Sequence, residues 1–409
     1  MSRADSTSLP DTLREWVEQV TGDRVKTSRS HHEGASRLAW SVDLEGSSAV
    51  QSLFLLQDKS QGGGSGRDAA VLRALAETEV PVPQVIATDS DHGTILLSRL
   101  PGRADYPATD EPAADQERVA KHLMSLTAKL HSIEPSRLKI DHLTLPTKPE
   151  DCARGTLAQA RGAANALGDA ADPFCLFALK WLDANVPTLA ERYALVHSDM
   201  GPGNFLYEND RVTGIVDWEV AHFGDPMEDL AAIAIRDMAT PVGLLAHRFD
   251  EYEASSGTEV DLSRVHYYRA LVLVRNSLMI GLGLANPSES FDVEEMTMYQ
   301  TLLVRAAALV ICDNLGTGRP APPDSDGDSR SAEIEDTARL LGHDSSSLSG
   351  QGSTNAVLRE AIAADPEMKP ERTTEFAHFF ARRMHRLAAS RKELLGPLFE
   401  RLPQPLGPR

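Results

Sequence analysis

Apolar and polar positions alternate with period two over 36–44, 50–57 and 94–98, where β-branched and aromatic residues gather, and this pattern predicts strands of a small sheet. A short helix is expected ahead of them at 11–21. A second is expected between them at 67–76, where Val71, Leu72 and Leu75 recur at helical spacing after the flexible run Gln61-Gly62-Gly63-Gly64-Ser65-Gly66. Pro81, Pro83 and Pro101-Gly102 punctuate this region, and the last pair closes the strand Ile95-Leu96-Leu97 with a turn. Beyond it the period changes. Val119, Leu123, Leu126 and Leu130 recur every three or four residues across 116–131, and the same periodicity returns over 174–191, 226–239, 263–280 and 296–314, which predicts a mainly helical second region. Short strands at 194–196, 204–207 and 212–216, the last two joined by Glu208-Asn209-Asp210, interrupt those helices.

Residues 317–355 are rich in Gly, Pro, Ser and Asp and read as a linker, apart from a short helix near 334–341. A final helix over 373–402 carries Phe376, Phe379, Phe380, Met384, Leu387 and Leu395 on one side and Arg382, Arg383, Arg386, Arg391 and Lys392 among the others; docking onto an acidic body is its expected use. With 41% hydrophobic and 25% charged residues, the chain is neither a disordered protein nor a fibre. Its 41 basic against 60 acidic residues give a net charge of −19, so binding to nucleic acid or to an anionic membrane surface is not expected. Cys152, Cys175 and Cys312 form no CxxC pair, which suits a reducing, cytoplasmic setting. The first residues lack the apolar core of an export signal, and the apolar stretches 270–274 and 306–312 fall short of the ~20 residues that span a bilayer.

The chemistry concentrates in Leu195-Val196-His197-Ser198-Asp199-Met200-Gly201-Pro202-Gly203-Asn204-Phe205-Leu206 and in Gly214-Ile215-Val216-Asp217-Trp218-Glu219. Phosphoryl transfer uses this inventory. One carboxylate orients an attacking hydroxyl and takes its proton, while an amide oxygen and a second carboxylate hold Mg²⁺ against the phosphates. On this reading Asp199 is the base, and Asn204 and Asp217 are the metal ligands. Asp199 and Asn204 lie five apart in a loop with two glycines and a proline, enough to aim them at opposite ends of one phosphoryl group. A metal hydrolase built on His197, Asp199 and Asp217 is a further reading of the same residues, but His31, His32 and His222 offer no recognisable ligand spacing for it. Ser198 lacks the G-x-S-x-G elbow of a nucleophile.

These motifs resemble those of the aminoglycoside phosphotransferase (APH)-like kinases. The family's HxDxxxxN loop is matched by His197, Asp199 and Asn204, its metal-binding Asp by Asp217, and its GDPxxDLA by Gly224-Asp225-Pro226-Met227-Glu228-Asp229-Leu230-Ala231. The resemblance runs from about 12 to about 314. It implies an α+β, two-lobed protein-kinase-like fold, with a small N-terminal antiparallel sheet plus one helix and a larger helical C-lobe, here followed by a C-terminal helical extension. The chain would then divide into a nucleotide-binding lobe (1–100), a helical C-lobe bearing the catalytic and metal loops (101–316), a flexible linker (317–355) and a helical extension (356–409). The implied activity is transfer of the γ-phosphoryl of ATP or GTP to a hydroxyl of a small molecule, with Mg²⁺ as cofactor.

The resemblance also assigns expected roles. Glu33-Gly34-Ala35-Ser36-Arg37 resembles the nucleotide-covering turn, so Gly34 and Ser36 should approach the phosphates. Asp68 stands where the family has an acid, usually Glu, that pairs with a strand cation, and the backbone from Ser98 to Leu100 should meet the adenine. His197 would brace the catalytic loop by hydrogen bonds, and Asp225 and Asp229 would cap a helix. One departure stands out. The strand Leu53-Phe54-Leu55-Leu56-Gln57-Asp58-Lys59 places Leu56 or Gln57 at the position of the family's cation. Lys59, two residues past Gln57 and so on its face of an extended strand, is the expected substitute. The same departure leaves open a catalytically weak nucleotide-binding or scaffold protein of this fold. Gly-Pro-Gly-Asn-Phe at 201–205 and the Gly224–Ala231 motif resemble the family's catabolic members, which favours hydroxyacyl-CoA or another alcohol over an aminoglycoside as acceptor.

Overall fold

The computed structural model describes residues 9–31, 37–46, 52–59, 63–108, 110–149, 151–187, 192–287, 291–321, 329–342, 345–348, 354–391, 403–404 and 406. In chain order they form α1 (Asp11–Thr21), β1 (Arg24–Ser30), β2 (Arg37–Glu45), β3 (Ser52–Asp58), α2 (Ser65–Leu75), β4 (Val85–Asp89), β5 (Thr94–Ser98), α3 (Ala113–Ser132), α4 (Asp151–Leu167) and α5 (Pro173–Ala184). Then come β6 (Ala194–Val196), β7 (Phe205–Glu208), β8 (Arg211–Ile215), β9 (His222–Gly224), α6 (Met227–Arg236), α7 (Leu245–Ser256), α8 (Leu262–Ala285), α9 (Val293–Asn314), α10 (Ser329–Leu341), α11 (Ser345–Leu348), α12 (Thr354–Ala364) and α13 (Pro370–Ser390). The chain packs as two discontinuous units. One comprises Met1–Leu145, Ala194–Phe223 and Val242–Thr258; the other comprises Pro146–Tyr193, Gly224–Pro241 and Glu259–Arg409. The boundaries expected at 100 and 316 differ from these, because α3 packs with the first unit and the extension is built into the second.

The first unit is organised by an antiparallel sheet of order β1-β2-β3-β5-β4. On one face Trp40, Val42, Leu44, Leu53, Leu55 and Leu96 pack with Leu13 and Val17 of α1, forming a continuous core. The register Arg37↔Asp58 and Ala39↔Leu56 assigns Arg37, Ala39, Leu56 and Asp58 to the opposite face. Strands β1 and β4 were not foreseen. They sit at the two edges, and β1 (RVKTSRS) buries only Val25, so neither presents the alternation that a half-buried strand needs. Helix α7, also unforeseen, has a narrow stripe of Leu245, Phe249 and Tyr252. It is fixed to α3 by the buried Arg248, which pairs with Glu117 and Glu251, and by a 2.9 Å hydrogen bond between His131 Nδ1 and the Tyr252 hydroxyl.

The second unit is helical. Helix α4 escapes the apolar periodicity because it buries mostly alanine: Ala153, Ala160, Ala163 and Ala164. Helices α8 and α9 run for 24 and 22 residues and are, by length and composition, apolar enough to cross a bilayer, which the shorter apolar stretches in the sequence did not suggest. Their most apolar windows are 61% and 56% buried within the fold, so the packing uses that surface. The extension is part of this core. Phe380 of α13 lies against Phe174 and Phe177 of α5, with ring centroids 5.6 and 5.5 Å apart, and Phe376 stacks on Phe177 at 5.8 Å. The helix expected near 334–341 within the linker is α10, which starts earlier, at Ser329; its Thr337 and Ala338 are buried and its Glu333 and Asp336 pair with Arg383 and Arg386 of α13. These two basic residues therefore meet acids of the extension itself.

Packing of α13 on α9 sets a pH dependence. Arg305 Nη2 donates to Nδ1 of the buried His385 at 3.1 Å, and burial, reinforced by the Arg305 and Arg319 charges, lowers the imidazole pKa to about 4. The fold holds His385 neutral, whereas the unfolded chain takes up a proton near ~6.5. The stability contributed by the neutral imidazole is thus complete above ~6.5 and lost as pH falls toward about 4. Calorimetric melting at pH 7 and pH 4.5 should give a drop in midpoint that is smaller in His385→Phe than in the parent protein, the difference amounting to roughly 1–2 kcal/mol.

Candidate active site

Three short β segments of the first unit hold the chemistry. Strand β6 is fully buried and leads directly into His197; β7 and β8 form a hairpin whose turn has Asn209 at φ 56°. The loop from 197 to 204 is short because its backbone takes conformations that straighter chain avoids. Ser198 has φ 65° and Asp217 φ 69°, both in the left-handed region that costs a side chain about 1 kcal/mol or more. Neither is a glycine, so the fold holds both residues there against their preference.

His197 ties the two loops together. Its Nε2 hydrogen-bonds the Val216 carbonyl at 2.9 Å, and its Nδ1 accepts from the Asp199 amide at 3.3 Å. These partners engage both ring nitrogens, which is a bracing geometry and not that of a free base. Trp218 packs on the ring at 4.6 Å. Asn204 Nδ2 donates to the Asp199 carbonyl at 2.9 Å and to Asp199 Oδ2 at 2.8 Å, and the Val216 amide donates to the Asn204 carbonyl at 3.0 Å. Asp199 and Asn204 are thereby locked as a pair, and the Asn204 oxygen is turned away from the nitrogen that Asp199 holds.

Asp217 lies just past β8 with its side chain 42% exposed. Burial of its surroundings pushes its pKa up, Asp68 and Asp199 add to that, and Arg37 opposes it. Such a carboxylate is reached by solvent yet crowded by like charge, and it suits a divalent cation. Among the described residues no group of three or more His, Cys, Asp or Glu side chains is arranged to hold a metal. Mg²⁺ does not need one, because it is commonly held by one or two protein oxygens together with substrate phosphates and water. The Asp217 carboxylate and the Asn204 amide oxygen fit that habit.

The structure corrects the expected cation. Asp68, 1% exposed on α2, is paired with Arg37 and not with Lys59: Arg37 Nη1 donates to Asp68 Oδ2 at 2.5 Å. The same guanidinium lies 3.8 Å from Asp217, 3.0 Å from Glu219 and 3.5 Å from Asp58. Asp68 Oδ1 also accepts from the Trp218 amide at 3.4 Å, which anchors α2 to the Asp217 loop. Gly64 is required for this approach, since a Cβ there would lie 2.3 Å from the Glu219 Cβ. Sequence reasoning missed Arg37 because the cation was sought on β3; the available signal was that Arg37 opens β2 directly opposite Asp58. Lys59 lies past the end of β3 in a hollow lined also by Arg73, Asp89 and His92.

The remaining expected residues divide. Gly34 and Ser36 lie outside the described residues. Ser98 is taken up by the sheet edge, its amide donating to the Gln84 carbonyl at 2.8 Å and its hydroxyl accepting from the Gln84 amide at 2.9 Å. The next amide, of Arg99, donates to the Ser52 carbonyl at 3.1 Å, and Leu100 packs over Gly214 of β8 so closely that a Cβ there would lie 2.0 Å from Leu100 Cδ1. In the second unit, Asp225 accepts from the Met227 amide at 3.0 Å and is gripped by both sides of the Arg264 guanidinium, a structural use.

A family model for the phosphotransferase enzyme family APH matches residues 30–266, more than half of the chain. Viomycin phosphotransferase of Streptomyces vinaceus is 33% identical over 183 residues, which are 40% of this chain and 60% of that one. Acyl-CoA dehydrogenase family member 11 of Gallus gallus is 28% identical over 173 residues, 40% of this chain and 22% of that protein. The chain thus spans about 60% of the length of the curated antibiotic kinases it matches, and less of the dehydrogenase. Among solved structures, macrolide 2′-phosphotransferase MphH from Brachybacterium faecium aligns with a TM-score of 0.53 at 20% identity, covering 71% of this chain and 98% of its own, a likeness of fold. With the matched segment containing β2, β3, α2 and both loops described above, the chain belongs to the APH phosphotransferase family and has its kinase-like fold.

Proposed function

We propose that the protein transfers the γ-phosphoryl group of ATP or GTP to a hydroxyl of a small molecule. The observation that carries the reading is the Asp199–Asn204 lock beside Asp217. It holds a base, an amide oxygen and a second carboxylate on one rigid frame braced by His197. In this reading the Asp199 carboxylate orients the acceptor hydroxyl and takes its proton as the hydroxyl oxygen attacks. Asn204 and Asp217 would hold Mg²⁺, which when bound supplies charge neutralisation at the phosphates. The rest of the catalytic effect is positioning: His197 fixes the spacing of the two loops, and Trp218 shields its ring from water. The alternative of a catalytically weak scaffold drew on the missing basic residue of β3 and on the long extension; the Arg37–Asp68 pair, which supplies a cation from β2, supports the kinase reading over it.

The test is calorimetric titration of nucleotide with and without Mg²⁺. Binding should require Mg²⁺ in the parent protein, and Asp217→Ala should weaken it by roughly tenfold or more. Binding that ignores Mg²⁺, or an unchanged Asp217→Ala, would sink the reading. For the acceptor, the Gly-Pro-Gly-Asn-Phe loop keeps the preference for hydroxyacyl-CoA or another alcohol, with which the likeness to a protein named for acyl-CoA dehydrogenation accords, whereas the likeness to hygromycin B and viomycin kinases favours an antibiotic. A panel of hydroxyacyl-CoA, simple alcohols and kanamycin-type aminoglycosides decides between them, and turnover confined to the aminoglycosides reverses the preference.

A further inference from the structure

We infer that Arg37, at the start of β2, is the residue that binds the nucleotide's phosphates, taking the place left empty on β3. The inference rests on the nucleotide-binding reading above and names the group that carries it.

Three observations converge on this guanidinium. It is 5% exposed yet surrounded by four carboxylates, Asp58, Asp68, Asp217 and Glu219. Only one of its three nitrogens is satisfied. Nη1 donates to Asp68, whereas Nε and Nη2 are buried and make no hydrogen bond of proper geometry, their contacts with Asp58 and Glu219 being close but misdirected. A buried donor without a partner is costly, so a folded protein that keeps two on one side chain has a partner for them elsewhere. Finally, Arg37 lies 3.8 Å from Asp217, the proposed metal ligand. A metal on Asp217 brings phosphate oxygens to this neighbourhood, and the planar fork of arginine suits two of them at once.

Strand alternation argues against the two other candidates. Asp58 and Leu56 share Arg37's face of the sheet, while Gln57, opposite Leu38, belongs to the face that packs on α1. A strand continued to Lys59 keeps Lys59 on the Gln57 face. Position 56 is therefore where a β3 cation would meet the same carboxylates, and it is leucine. In this chain the acid on α2 is met by a cation of the second strand.

Three ligands, Mg²⁺·ATP, Mg²⁺·ADP and adenosine, are titrated into the full-length protein and its variants. Arg37→Met should weaken both phosphorylated ligands by roughly 10- to 100-fold and leave adenosine within about twofold. Arg37→Lys, which keeps the charge and loses the fork, should fold normally and show a smaller loss, again confined to ATP and ADP. Lys59→Ala should bind all three like the parent. Leu56→Lys added to Arg37→Met should restore part of the ATP affinity by returning a cation to β3. Undiminished ATP binding in Arg37→Met and Arg37→Lys, equal losses for ATP and adenosine, or a large loss in Lys59→Ala would each overturn the assignment. A parent protein that binds none of the three ligands would overturn the proposed function along with it. ATP binding in the parent with no effect at Arg37 would overturn this inference alone.

Discussion

Asp199→Ala is expected to reduce turnover by at least about 10³-fold, the upper range for losing a positioned base, in any assay where the parent protein phosphorylates an acceptor. The size follows from what the residue holds. In the proposed mechanism its carboxylate takes the hydroxyl proton, and its Oδ2 also fixes the Asn204 amide at 2.8 Å. Removing it should loosen Asn204 and weaken Mg²⁺-dependent nucleotide binding by a few-fold. Asp199→Asn separates the two effects. A carboxamide oxygen can still accept from Asn204 Nδ2, so nucleotide affinity should stay near the parent value while turnover falls as far as in Asp199→Ala. Steady-state rates and calorimetric affinities on both variants check this. Turnover within tenfold of the parent in either variant would remove Asp199 from the chemistry.

A chain ending after Leu315 should fail to fold. The segment beyond it supplies Phe376, Phe379 and Phe380, each at most 1% exposed, together with Met384 and Ala388, and it covers Phe174 and Phe177 of α5. Truncating one such phenylalanine costs about 3–5 kcal/mol, already a large part of a typical domain's stability. The segment also satisfies polar groups: Lys180 Nζ donates to the Ile362 and Asp365 carbonyls, Arg269 Nη1 to the Gln404 carbonyl at 3.1 Å, and Gln404 Nε2 to Asp237 at 2.8 Å. Without it these groups are stranded on an opened core. The truncated protein should be insoluble or lack a cooperative thermal transition, and Phe380→Ala alone should lower the full-length protein's stability by about 3–5 kcal/mol. A soluble truncated chain that melts like the parent would show that the extension is dispensable.

The site was unevenly legible. Asp199, Asn204 and Asp217 could be grouped from the sequence because their proximity depends on short-range spacing: five residues in a Gly-Pro-Gly loop, and one carboxylate after an apolar strand. The loop's geometry then made its own demands, the positive φ at Ser198 and Asp217, which no residue type there announces. The extension's aromatic face was legible as a helix with something to bury, and its basic residues were read as matching an acidic body. In the fold Arg383 and Arg386 meet Glu333 and Asp336 of α10, the helix expected within the Gly-, Ser- and Asp-rich linker.

What the sequence by itself determined is therefore local: the strands β2, β3 and β5 with their alternating core, the periodic helices, and the catalytic loop whose members are covalent neighbours. Tertiary structure decided what depends on register and burial. Edge strands such as β1 and alanine-faced helices such as α4 carry too little apolar pattern to stand out until their partners are present. Above all, the cation opposite Asp68 is 31 residues away in sequence, and its strand is set by the Arg37↔Asp58 register. A guanidinium on an adjacent strand reaches the same carboxylate as a β3 cation would, since neighbouring strands lie only ~5 Å apart. Reading the chain one strand at a time leaves that space vacant; pairing the strands fills it.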